Sequence, residues 1–114
     1  MEDCIFCKIV RGEIPCTKVY EDDAMLAFKD IEPQAPIHFL IIPKKHIKDL
    51  LSLSEEDCDL MAKVQQVVKK LALQEELDEK GFRLVTNCGK AAGQSVFHLH
   101  FHLMGGRNFT WPAG

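Results

Sequence analysis

The run Phe97-His98-Leu99-His100-Phe101-His102-Leu103-Met104 decides how this chain is read. Side chains of a strand alternate between faces, so the three histidines emerge together while Leu99, Phe101 and Leu103 anchor the opposite face. Same-face neighbours lie roughly 6.6 Å apart, near enough for adjacent imidazoles to share one phosphate-sized ligand. A strand that commits a whole face to imidazole forgoes β-propensity and apolar burial, which points to chemistry rather than packing. Three histidines also raise a catalytic zinc of the His₃ kind. On one flat strand, however, the outer two sit roughly 13 Å apart, too far to meet at one ion with bonds of about 2.1 Å.

Working outward, this strand is expected to cover Val96 to Met104 and to stop at Gly105-Gly106. Gly81 to Asn87 reads as another strand, as does Ile37 to Pro43, whose His-Phe-Leu-Ile-Ile is β-rich and ends at a proline. Lys18 to Glu21 and Ala24 to Lys29 read as two strands turned by Asp22-Asp23. Cys4 to Arg11 is expected as a short helix that Gly12 ends. Ser54 followed by Glu55, Glu56 and Asp57 caps a long helix whose stripe Leu60, Met61, Val64, Val67, Val68, Leu71 recurs at three and four. The pattern predicts an α+β fold, a mainly antiparallel sheet with helices on one face.

Fourteen Lys plus Arg against seventeen Asp plus Glu leave a net charge of −3 over 114 residues, 46% of them hydrophobic. That composition excludes a disordered or fibrous chain, and it lacks the clustered basic field that nucleic acid would need. Residues 1–114 are expected to form a single domain. The longest apolar run, Phe39 to Ile42, is too short for a bilayer, and Met-Glu-Asp-Cys has no basic export signal, so a cytoplasmic chain without membrane contact is expected.

Five cysteines (Cys4, Cys7, Cys16, Cys58, Cys88) are an odd count that favours reduced thiols or a metal over a disulfide framework. Cys4-x-x-Cys7 on a helix presents both thiols on one face, as a redox pair or a zinc pair needs. The redox version usually accompanies a thioredoxin-like βαβ pattern absent from this sequence, so zinc is preferred, with two helix-face cysteines that hold no metal as the other reading. With no second Cys-x-x-Cys, the other two ligands of a closed tetrahedral site must be histidines. Ser95 lies in Gly-Gln-Ser-Val-Phe, which is not the Gly-x-Ser-x-Gly elbow of a serine nucleophile, and Cys88 reads as structural.

Residues 98 to 104 match His-φ-His-φ-His-φ-φ, with φ hydrophobic, at every position. With Asp30 to Pro36, His38 to His46, Asn87, Gly93 to Val96, and Gly105 through the terminal Trp111-Pro112-Ala113-Gly114, the chain resembles the histidine triad family, in particular its Hint branch. That branch typically ends Trp-Pro-Pro-Gly, so Ala113 is a departure in the tail.

The resemblance implies hydrolysis of purine nucleoside 5′-phosphoramidates through a nucleotidyl-histidine on His100, since neutral imidazole is nucleophilic at nitrogen near pH 7. It gives His102, Ser95 and Asn87 the phosphoryl charge, with Gly93 and Gln94 in the same loop and no catalytic metal, and His38 a place in the proton relay to the leaving amine. It puts Asp30 and Ile31 at the ribose and Phe6, Ile9, Ile14 and Phe28 around the purine. Bacterial-type members complete a structural zinc site at positions matching His46 and His98, which assigns Cys4, Cys7, His46 and His98. It also implies a homodimer in which the two five-stranded sheets are continuous and Trp111 approaches the partner's site. Dinucleoside polyphosphate hydrolysis or nucleotidyl transfer, and a non-catalytic nucleotide-binding module, are the alternatives.

Overall fold

Strands β1 (Lys18–Glu21), β2 (Met25–Lys29), β3 (Ile37–Pro43), β4 (Phe82–Val85) and β5 (Phe101–Gly105) form one sheet in a computed structural model that describes residues 3–114. Met1 and Glu2, the start of the amino-terminal reading above, lie outside the described residues. The sheet order is β1-β2-β3-β5-β4 and every neighbouring pair is antiparallel. Helices α1 (Ile5–Val10) and α2 (Cys58–Gln74) complete an α+β architecture. No helix among the described residues is long and apolar enough to cross a membrane.

Alternation along the central strands separates two layers. Met25, Ala27, Phe39, Ile41, Leu99, Phe101 and Leu103 pack with Val64, Val67, Val68 and Leu71 of α2. The intervening residues Leu26, Phe28, Leu40 and Ile42 pack with Phe6 and Ile9 of α1. Each such fully buried Leu, Val or Ile contributes about 1.5–3 kcal/mol relative to exposure. Both faces of the central strands are therefore covered, one by the long helix and one by the short one, rather than by helices on a single face. Ser54 caps this end as expected and forms a capping box with Asp57, but the first turn, Glu55–Asp57, is 3₁₀ and the α-helix proper begins at Cys58.

The last strand departs most from expectation. Its ladder covers Phe101–Gly105 rather than Val96 to Met104, so His98 and His100 precede it. Continuing the register of Ile41 with Phe101 would set Leu99 opposite Pro43, which has no N–H to give. The Leu99 N–H bonds the Ile47 carbonyl at 2.6 Å instead. Facial alternation survives the loss of the ladder, because Leu99 still joins the α2 layer while His98 and His100 pack edge-on to Phe6 of α1. The strands expected over Ala24 to Lys29 and Gly81 to Asn87 shorten to β2 and β4, and the first helix ends at Val10.

Candidate active site and metal centre

Cys4 sits at the N-cap of α1 and its sulfur accepts the Cys7 N–H at 3.3 Å, which places both thiols at the same helix end. Across from them are His98, and His46 from the segment after β3. Cys7 Sγ lies 3.3 Å from His46 Nδ1 and 3.6 Å from His98 Nδ1, and Cys4 Sγ lies 3.4 Å from His98 Nδ1. A tetrahedral ion bonded at about 2.3 Å to sulfur and about 2.05 Å to nitrogen has S···N edges of about 3.6 Å, so the donor set fits such an ion.

The tautomer also fits. His98 Nε2 donates to the Pro43 carbonyl at 2.8 Å, which leaves the Nδ1 lone pair pointing at the thiols. Burial lowers the pKa of both His98 and His46 and so favours the neutral ring that a metal requires. Burial, then the neighbouring Cys4, pushes the Cys7 thiol up.

His98 joins this cluster to a second one. Its carbonyl accepts His100 Nδ1–H at 2.7 Å, and the Thr86 hydroxyl donates to the His100 carbonyl at 2.8 Å. Among the described residues no solvent-sealed side-chain nitrogen or oxygen lacks a partner. Since the bond of His100 is made through Nδ1, Nε2 is the nitrogen left toward solvent, although the residue as a whole is only 4% exposed. The ring of His102 stands 5.2 Å from that of His100, centre to centre.

A fixed chain of donors sets the proton positions. The Gln34 N–H donates to His38 Nδ1 at 3.0 Å, so the proton of neutral His38 is on Nε2. That nitrogen lies 2.9 Å from His102 Nδ1 and 3.4 Å from Asp30 Oδ2. His102 therefore accepts at Nδ1 and carries its own proton on Nε2. Burial, then the His100 and His38 rings, bring the pKa of His102 down to about 4. Burial also lowers His38, against the opposing pull of Asp30.

Beside these rings an apolar cavity of about 560 Å³ is lined by Phe6, Ile9, Ile14, Phe28 and Leu40, with Asp30 and Ile31 at one end. The six residues expected at the ribose and purine all line it, and Leu40 joins them. Leu40 was in principle readable, since it shares a face with His38 by simple alternation. Ile31 is 95% exposed. Asn87 and Gly93 face each other, a Cβ on Gly93 coming within 3.9 Å of Asn87 Nδ2. Ser95 is exposed.

The Gln94 side chain makes three bonds within the protein. Its amide nitrogen donates to the carbonyls of Lys48 and Val96 at 2.8 and 3.1 Å, and its oxygen accepts the Gly89 N–H at 2.8 Å. It ties the Gly89–Ser95 loop to the segment that carries His46. Trp111 is 84% exposed. The Gln34 N–H and the Pro43 carbonyl are main-chain groups and leave no residue-type signal, and the Thr86 hydroxyl is one of many whose partner only the fold supplies.

A family model described as HIT domain matches residues 11–109. The crystal structure of a HIT family hydrolase from Legionella pneumophila superposes with a TM-score of 0.96 at 54% identity, covering 98% of this chain and 100% of that one. A 14 kDa zinc-binding protein of Brassica juncea is 49% identical over 98% of this chain and 100% of its own length. A histidine triad nucleotide-binding protein from Candida albicans gives a TM-score of 0.83 at 40% identity over 98% of this chain and 85% of that one.

Proposed function

The chain belongs to the HIT family, and from that membership we propose that it hydrolyses purine nucleoside 5′-phosphoramidates to a nucleoside monophosphate and an amine. One observation carries the reading: His100 is anchored through Nδ1, which aims the Nε2 lone pair outward beside a cavity of nucleoside size. Nε2 attacks phosphorus, the bond from phosphorus to the amine nitrogen breaks, and the nucleotidyl group rests on His100. The amine leaves with one added proton. Water then attacks phosphorus, releases the nucleoside monophosphate and returns one proton, so the cycle is balanced. The first step exchanges one phosphorus–nitrogen bond for another and avoids a deep energetic trap.

His102 Nε2–H, the Ser95 hydroxyl and Asn87 are the donors assigned to the phosphoryl oxygens. His38 sits at the far end of the relay. With its Nδ1 occupied by the Gln34 N–H, its part is to orient His102. Phe6, Ile9, Ile14, Phe28 and Leu40 would hold the purine, and Asp30 the ribose hydroxyls with Ile31 beside them. The Candida relative, named for nucleotide binding, supports this pocket assignment.

Cys4, Cys7, His46 and His98 would hold a zinc ion, as the name of the Brassica relative supports. Four protein ligands leave no open coordination position, so the ion supplies structure, fixing α1 against the start of the His98–His102 segment. A homodimer belongs to the same reading. It is supported by edge strand β4, which presents Phe82 and Leu84 on one half-exposed face.

Incubation with adenosine 5′-phosphoramidate, followed by rapid quench and intact mass measurement, should reveal an AMP adduct that His100→Asn cannot form. Turnover in His100→Asn should fall by roughly 10³-fold or more. A phosphoramidate that survives equally long with and without the wild-type protein overturns the assignment.

A further inference from the structure

Both main-chain groups of Gln34 are engaged. Its N–H meets His38 Nδ1 at 3.0 Å, and its carbonyl accepts from Arg107 Nε at 2.9 Å. The guanidinium is itself held from two other directions. Its Nη1 donates to the Asn108 carbonyl at 3.0 Å, and its central carbon stands 4.2 Å from the centre of the Phe109 ring. Arg83 of β4 approaches the same ring at 5.0 Å. Upstream, Gly106 has φ +91 and a Cβ there would meet Pro36 at 3.0 Å, so the turn carrying Arg107 lies directly against the loop carrying Gln34. An exposed arginine thereby holds the carbonyl of the same residue whose N–H, one peptide earlier, contacts the outer nitrogen of His38.

We propose that Arg107 is a positioning residue: by holding Gln34 it fixes which nitrogen of His38 carries the proton, and through His38 it fixes which nitrogen of His102 faces the phosphoryl group. A neutral imidazole has one proton. With the Gln34 N–H on His38 Nδ1, that proton must sit on Nε2, so His102 receives at Nδ1 and donates at Nε2. Released from Arg107, the Gln34 amide can turn away and His38 can exchange tautomers. His102 then presents a lone pair to anionic oxygen for part of the time, and lone pair against oxyanion is repulsive. The planar, forked guanidinium suits this task, since it stacks and donates in two directions at once.

The catalytic consequence rests on the phosphoramidase reading, while the tautomer consequence does not, and the test separates them. Nitrogen-15 spectra of the histidine rings, recorded on the protein as purified, should show His38 and His102 each protonated at Nε2 alone. In Arg107→Ala both rings should show mixed tautomers, and kcat for adenosine 5′-phosphoramidate should fall about tenfold with KM changed less than about twofold. Arg107→Lys keeps one donor for the Gln34 carbonyl and should recover part of both signals, which a general loss of folding would not do. Single Nε2–H tautomers persisting in Arg107→Ala overturn the proposal, as does tautomer mixing with undiminished kcat. Should the wild type prove inactive toward the phosphoramidate while its tautomers still depend on Arg107, the substrate assignment falls and the positioning by Arg107 stands.

Discussion

Two groups of side chains bring histidines together with cysteine or aspartate: Cys4, Cys7, His46 and His98, and Asp30, His38 and His102. In each the ligating atoms lie within 4.8 Å of one another, so distance alone nominates both as metal sites. What separates them is the far nitrogen. His98 turns its Nε2–H to a carbonyl, the Pro43 oxygen, and is left with a lone pair at the near nitrogen. His38 meets an N–H at its far nitrogen, from Gln34, and is left with a proton at the near one. A lone pair binds an ion and a proton does not. To ligate, His38 would have to give up the Gln34 bond or lose its last proton. The donor set of the first cluster fits a metal, while the hydrogen bonds of the second run in one direction from ring to ring. Proximity of histidines is therefore a poor guide until the outer partner of each ring is known.

The contrast is broken or sharpened most strongly by removing metal. Protein purified without chelator should carry about one zinc per chain, and chelation should remove it. If free zinc stood near a thousand times Kd, the loss is about 4 kcal/mol, or a fall in Tm on the order of 20 °C. The same titration on His38→Ala should give an unchanged zinc content. Zinc that falls in His38→Ala while surviving in Cys7→Ser would invert the two assignments.

Next in size is the effect of the relay on chemistry. His102→Asn should lower kcat by about 10²-fold, the usual cost of one transition-state donor, with zinc content constant. Full activity in this variant would strip the second cluster of its proposed part.

The smallest effect is read from pH. Burial and the flanking His100 and His38 rings hold His102 at about 4 in the fold, against about 6.5 in the unfolded chain. Between these values the unfolded chain binds the extra proton. The contribution is complete above about pH 6.5 and is lost as pH falls toward 4, with a difference of about 1–3 kcal/mol. Urea midpoints across that range should fall less steeply in His102→Asn than in the wild type, and parallel slopes would show that His102 is not held neutral.

The sequence made the periodic parts of this molecule legible. Alternation placed His98, His100 and His102 opposite Leu99, Phe101 and Leu103, and the three-four stripe placed α2. Cys-x-x-Cys marked two of the metal-type ligands, while His46 and His98 came only through family resemblance. The start of β5 was not legible, because alternation continues through residues that have already left the ladder, and the cause lies on another strand at Pro43. Nor was the relay's outer partner. The useful part of Gln34 is its main chain, and Arg107 is one of many surface cations until the Gly105–Gly106 turn is seen to lay it on the loop. Gln94 adds a bracing role that no residue type announces, its side chain tying its own loop to the Lys48 carbonyl.

His98 lends its ring to the cysteine cluster and its carbonyl to His100. Heredity cannot uncouple these two loans by changing the residue's own identity. A replacement that keeps the carbonyl forfeits the ring, and with it the anchorage that keeps the carbonyl still.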